Sequence, residues 1–220
     1  MKNEAIDARH LIISAIVLTI GISAVSTGVM ATPPVAAEAE KVRPPHVPGN
    51  IVVDPPDEIF LVGQAAGTQN YVCLPSGSGV AWALFTPQAT LFTGKGKQLI
   101  THFFSPNPSP NRAEHGIVRP TWQDSRDTSS VWGKAIASSV DAAFVKPGAI
   151  AWLKIQVVGA EDGPGGGDRL SGTSFIQRVN TVGGAAPSTG CSVPGDVGRQ
   201  AYMPYTADYI FYELKGRHDR

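Results

Sequence analysis

The run AIAWLKIQVV, Ala149 to Val158, sets Ala151, Leu153, Ile155 and Val157 on one side of an extended chain and Lys154 and Gln156 on the other. An apolar period of two marks a strand with one buried face. The same alternation recurs between turn residues from position 58 onward. Gly172–Val182 places Thr173, Phe175, Gln177 and Val179 opposite Ser174, Ile176, Arg178 and Asn180, and Ala207–Leu214 alternates Tyr209 and Phe211 with Ile210 and Tyr212. Earlier in the chain, Glu58–Gly63 and Thr68–Leu74 read as short strands separated by Ala-Ala-Gly. Val80–Phe85 is apolar on both faces, which suits a central strand. Ala89–Thr93 and Gln98–Phe104 flank Gly94-Lys-Gly96, a hairpin-like turn. No window of about ten residues reads as a capped helix. The best, Lys134–Phe144, contains Ser138-Ser-Val140, which are poor helix formers. The pattern predicts an all-β fold: an antiparallel β-sandwich or barrel-like single domain with long loops.

Composition agrees with that class. A chain of 220 residues supports one domain with tails. It has 24 glycines and 18 prolines, too many for a helical bundle and too aperiodic for collagen. Lys plus Arg and Asp plus Glu number 18 each, so there is no basic field for nucleic acid. At 16%, the charged fraction is too low for a disordered, solvating protein.

The ends read differently from the body. Residues 1–10 are polar with Lys2 and Arg9, Leu11–Val25 is apolar, and Ser26–Ala31 relaxes into small residues. This is the order of a secretory signal peptide over residues 1–31, cut after Ala31 or, as a second site, Ala37. An uncleaved signal anchor is the alternative and the one route to a membrane, although the apolar run is short for a span of about 20 residues. Residues 32–50 hold five prolines and few large apolar side chains, which predicts an extended linker with His46 in solvent. A single β domain then covers 51–214, and 215–220 forms a polar tail. The expected location is secreted or periplasmic.

Cys73 and Cys191 lie 118 positions apart, too few and too distant for a zinc knuckle or a CxxC pair. Outside the cytosol a disulfide between them is the natural reading, with two separate buried thiols as the alternative. Catalytic templates are missing: there is no GxSxG elbow and no HExxH. In the glycine-rich Gly159–Asp168 loop, Asp168 stands where a GxGxxG frame from Gly163 needs its third glycine. The sequence therefore implies no cofactor, and no metal motif. Asp124-Ser-Arg-Asp127 lacks the glycine and final Glu of a calcium loop and reads as a polar turn, with Arg126 or Arg119 as partner for a buried Asp127.

Polar residues gather between His102 and Asp127, with Glu114, His115, Arg119 and Trp122 among them and Trp132 just beyond. Trp82 and Trp152 lie in apolar strands and belong to the core. Trp122 and Trp132 sit among polar residues, and with His102 and Asp127 they are the candidate ligand-binding residues of an exposed groove. An aromatic face there suits a pyranose ring. Long loops at Ser105–Gly116 and Gly159–Asp168 are functional or tolerated insertions.

The residues that follow form a combined pattern. Tyr71-Val-Cys73, Trp82-Ala-Leu84 and Pro87-Gln-Ala89-Thr-Leu91-Phe92 open it; His102-Phe103, Pro120-Thr-Trp122 and Ser130-Val-Trp132-Gly133 continue it. Ala149–Leu153, Phe175–Arg178, Thr181–Pro187 with Cys191, and Tyr202–Tyr212 complete it. Over about residues 52–214 this resembles the domain of unknown function 3455 family. The resemblance implies an exported bacterial or fungal protein without an established activity. The resemblance implies that the His and Pro-Thr-Trp often stand close together along the chain, whereas here Ser105–Arg119 separates them.

Three functional readings follow from the residues. The first is a non-catalytic surface or ligand-binding module, with carbohydrate or another cell-surface molecule as partner. The second is an extracellular hydrolase-type enzyme using His102 or His115 with Asp124 or Asp127. The third is a metal-binding protein. The catalytic residues, the ligand and the oligomeric state are not identified by the sequence.

Overall fold

The computed structural model describes residues 43–216. The signal peptide expected over residues 1–31, the first part of the expected linker and the last four residues of the chain lie outside the described residues.

Eight antiparallel strands follow one another around a closed barrel: β1 (Asp57–Ser76), β2 (Gly79–Phe92), β3 (Gln98–Pro106), β4 (Val118–Asp124), β5 (Ser130–Ser139), β6 (Trp152–Glu161), β7 (Thr173–Gly183) and β8 (Gln200–Leu214). Each strand pairs with the next, and β8 pairs back onto β1 from Leu214↔Asp57 to Gln200↔Val72. The architecture is a barrel and not a two-sheet sandwich. Closure gives every strand two neighbours and leaves no edge to protect. Register shifts at Ile59/Leu61, Asn70/Tyr71, Trp132/Gly133 and Val179/Val182 supply the local bends that closure needs. Among the described residues the only helical pieces are the 3-10 turns Gly49–Ile51 and Pro194–Asp196.

The early strands are longer than their sequence suggests. Glu58–Gly63 and Thr68–Leu74 are parts of one strand, β1, because Ala65-Ala-Gly67 is no break. A Cβ on Gly67 would stand 2.1 Å from the Gln88 carbonyl oxygen of β2, so glycine is what lets the two strands pair here. Val80–Phe85 and Ala89–Thr93 likewise merge into β2. Strands β4 and β5 lie in the polar stretch, where Arg119 and Gln123 on the outer face of β4 disguise the inward Trp122. The Lys134–Phe144 window is not helix, in keeping with its poor helix formers Ser138-Ser-Val140: it is strand to Ser139 and then turn.

All eight strands contribute to one interior cluster, among them Ala65, Leu91, Ile100, Trp122, Val131, Ile155, Ile176, Tyr209 and Phe211. A second cluster lies outside the wall of β6, β7 and β8. There Trp152, Val179, Ile210 and Tyr212 are covered by Ile51 and by Val145 of the β5–β6 loop. This covering explains why β8 is apolar on both faces. Residues 43–50 therefore do not hang free: Asn50 donates to Ser138 O, Gln177 donates to Ile51 O, and the His46 ring meets Phe144 at 5.2 Å.

The two ends of the barrel are finished differently. At the lower end the 162–172 loop drops Leu170 into the interior. Asp127 Oδ1 accepts from Ser129 N and Oγ, and its Oδ2 accepts from Arg169 N. Gly163 and Gly167 pack where a Cβ would strike Asp127, which gives the glycine-rich loop its structural reason. Asp124 is fully buried, caps the 125–129 turn through Arg126 N and Asp127 N, and pairs with Arg169 at 2.9 Å. At the upper end, the 184–199 loop is tied to the wall by the Cys73–Cys191 disulfide, Cα to Cα 5.5 Å, and by Trp82 Nε1 donating to Thr189 O. Trp82 is thus half-buried against that loop and not part of the core, whereas Trp152 is core.

Candidate functional site

Between the upper mouth and the packed lower half lies a cavity of about 300 Å³ inside the barrel. Its walls are largely apolar: Leu84, Pro87, Phe104, Pro120, Ile150, Leu153 and Ile155. Its polar groups are Gln69 and Tyr71 from β1, His102 from β3, Trp122 from β4, Arg178 from β7 and Tyr209 from β8. They meet because inward positions recur every second residue on each strand. The cross-strand partners Gln69↔Pro87, Tyr71↔Leu84 and His102↔Trp122 all face this space.

His102 stacks on Trp122 with ring centroids 4.3 Å apart and meets Tyr209 at 5.3 Å. Its Nδ1 donates to Thr121 O at 2.8 Å, the role a ring nitrogen facing a carbonyl must take. Burial pushes its pKa down to about 3, the Thr121 bond opposes this, and the charge of Arg178 lowers it further. At neutral pH the ring is therefore uncharged, and Nε2 carries the lone pair. The Tyr71 hydroxyl donates to Gly184 O, and burial raises its pKa against the pull of Arg178. Behind them Tyr205 and Tyr209 share a hydroxyl contact of 3.3 Å, and burial raises Tyr205 as well.

Arg178 is the one cation lining the cavity. Its Nε and Nη2 both donate to the Ala151 carbonyl, at 3.2 and 2.9 Å, which holds the 149–151 segment over the cavity. No carboxylate of the described residues pairs with it; the ion pairs are Glu114–Arg119, Asp124–Arg169, Asp196–Arg199 and Glu58–Lys215. Two residues lining the same cavity carry buried donors without partners, Gln69 Nε2 and Trp122 Nε1. Gln69 lies near enough to the Tyr205 hydroxyl to affect its ionisation, yet its Nε2 reaches no acceptor in hydrogen-bonding geometry.

The four candidate residues do not share a surface. His102 and Trp122 come together in the cavity wall. Asp127 belongs to the lower end, where its partners are Ser129 and Arg169 and not Arg126 or Arg119. Trp132 points out of the barrel, where its Nε1 donates to Ser105 Oγ. Neither tryptophan offers an open face, since Trp122 is 0% exposed and Trp132 6%. His115 sits in the 107–117 loop with Nδ1 at Ser109 O, and no histidine bonds to a carboxylate among the described residues. Nor do three or more His, Cys, Asp or Glu side chains among them gather where one metal ion could be held. Arg178, Gln69 and Tyr71 were not singled out from the sequence. The usable signal was Arg178 itself, a charge in phase with Ile176 on an inward face.

A family model described as "Protein of unknown function (DUF3455)" matches residues 55–213. No curated protein and no solved structure matches the chain.

Proposed function

We propose that this chain, which belongs to the DUF3455 family of proteins of unknown function, is an exported, non-catalytic binding protein that holds a small organic molecule in the upper half of its barrel. What carries the reading is a cavity of about 300 Å³ with apolar walls, an unneutralised arginine and two unpartnered buried donors. Buried polar groups are nearly always satisfied, so orphaned donors around a space mark where a ligand or ordered water completes them. Stacking of a sugar on Trp122 and Trp132 has no support from the geometry, because one face is covered by His102 and the two rings lie on opposite sides of the wall. Export is supported by the charged, apolar and small-residue order of residues 1–31 and by the disulfide, which persists in oxidising compartments. Among the described residues no helix is long and apolar enough to cross a membrane.

Calorimetric titration of the mature protein with small aromatic and aliphatic compounds tests the binding. Micromolar to millimolar binding that disappears in Leu153→Trp, a variant that fills the cavity from β6, is the expected result. Binding that survives in a folded Leu153→Trp protein would place the ligand elsewhere and overturn the reading. N-terminal sequencing of protein from the culture medium or periplasm should begin just after Ala31 or Ala37; an intact Met1 would overturn export by cleavage.

A further inference from the structure

The buried side-chain atoms left without a partner in residues that line the cavity, Gln69 Nε2 and Trp122 Nε1, are both donors, and that bias points to the chemistry they await. Arg178 brings a full positive charge, and its two bonds to Ala151 O do not use Nη1. Gln69 Nε2 and Trp122 Nε1 each carry a proton with nowhere to go, in side chains 2% and 0% exposed. The remaining buried orphans, Asn70 Oδ1 and Trp152 Nε1, do not line this space. Of the lining acceptors, His102 keeps its Nε2 lone pair, because its Nδ1 carries the proton given to Thr121 O. Arg178 is half-buried, and its charge bears on His102, Tyr71 and Tyr205 together.

We infer that the ligand is a small organic acid: one carboxylate bound to Arg178, with an apolar body against Leu84, Phe104, Leu153 and Ile155. This rests on the cavity being the binding site. A carboxylate has two oxygens and about four lone-pair sites, enough for the guanidinium and both orphaned donors. A phosphate or sulfate would satisfy the same donors but would waste the apolar walls. The volume is at the small end of ligand pockets, so the body is that of a single ring or a short chain. A hydroxyl on that body could donate to His102 Nε2.

Matched pairs test the charge without altering the protein: benzoate against benzamide, and hexanoate against hexanamide, titrated into the mature, disulfide-bonded chain at pH 7. At least one acid is expected to bind about tenfold or more tightly than its amide. In a spectrum of the wild-type protein, its binding should move the Trp122 indole N–H downfield. In Arg178→Gln, folded by circular dichroism, acid and amide should converge. Equal binding of acid and amide to the wild type would overturn the carboxylate while leaving the cavity as a binding site. Failure of all four compounds would overturn both. Sulfate binding as tightly as the acids would show an anion site indifferent to the ligand's body, and would also overturn the inference.

Discussion

His102 shows how much one side chain's environment decides. Burial against Trp122 and Tyr209 holds its pKa near 3, while in the unfolded chain it titrates at about 6.5. Above pH 6.5 both states are neutral and the difference costs nothing. Between about 6.5 and 3 the unfolded chain takes up a proton that the folded barrel refuses, so stability falls by about 1.4 kcal/mol per pH unit. Carboxylates act lower. Burial opposes the ionisation of Asp127, but bonds from Ser129 and Arg169 keep its pKa below the ordinary value, so its contribution is lost only below about pH 4. Urea unfolding between pH 6.5 and 4.5 therefore isolates the histidine. The wild type should lose stability across that window, and His102→Gln should be less stable overall but much flatter. Parallel slopes would mean that the ring is protonated in the folded state. Gly133 makes the same interior possible from below: a Cβ there would stand 2.5 Å from Ile155 Cγ2 and 2.9 Å from the Trp122 ring, so only glycine lets the indole lie flat under His102.

At the level of elements, the two ends of the barrel divide the labour. The lower end is a stopper built from the 162–172 loop, and Asp127 is its clasp rather than part of a ligand groove. Removing the carboxylate frees Ser129 N, Ser129 Oγ and Arg169 N at once. Asp127→Ala should cost about 1–3 kcal/mol, with amide exchange accelerating most in residues 162–172. An unchanged exchange pattern in that loop would show that the clasp is dispensable. The upper end is different in kind. The 107–117 loop is buttoned to the outer wall by Asn107, packed on Gly159 and donating to Val158 O, while Arg178 and Thr181 hold the 149–151 segment. These loops frame an opening instead of filling it. The long excursion after Ser105, which separates His102 from Pro120-Thr-Trp122 along the chain, does not separate them in space, because β3 and β4 pair His102 directly with Trp122.

For the whole molecule, the Cys73–Cys191 link joins the first strand to the loop before the last, across 118 residues. In the chain-entropy model, closing so long a loop stabilises the fold by about 4–5 kcal/mol. The Cys73→Ser, Cys191→Ser double variant should lose stability on that order in denaturant titrations, and the 184–199 loop should become the most protease-sensitive segment. A loss below about 1 kcal/mol would mean that strand closure alone fixes the barrel. Much of this fold was legible beforehand. Alternation in Ala149–Val158, Gly172–Val182 and Ala207–Leu214 already sorted their residues onto two faces, and the spacing and number of cysteines pointed to their pairing. Period two is local physics, set by the pleat of each strand. The sequence could not show that β8 returns to β1, making a barrel and not a sandwich, since closure depends on twist and register summed over all eight strands. Nor could it show that Trp122 and Trp132, ten residues apart on neighbouring strands, point to opposite sides of one wall. The site itself was the least visible part: Gln69, His102, Trp122 and Arg178 come from four strands, and only the closed sheet brings them around one space.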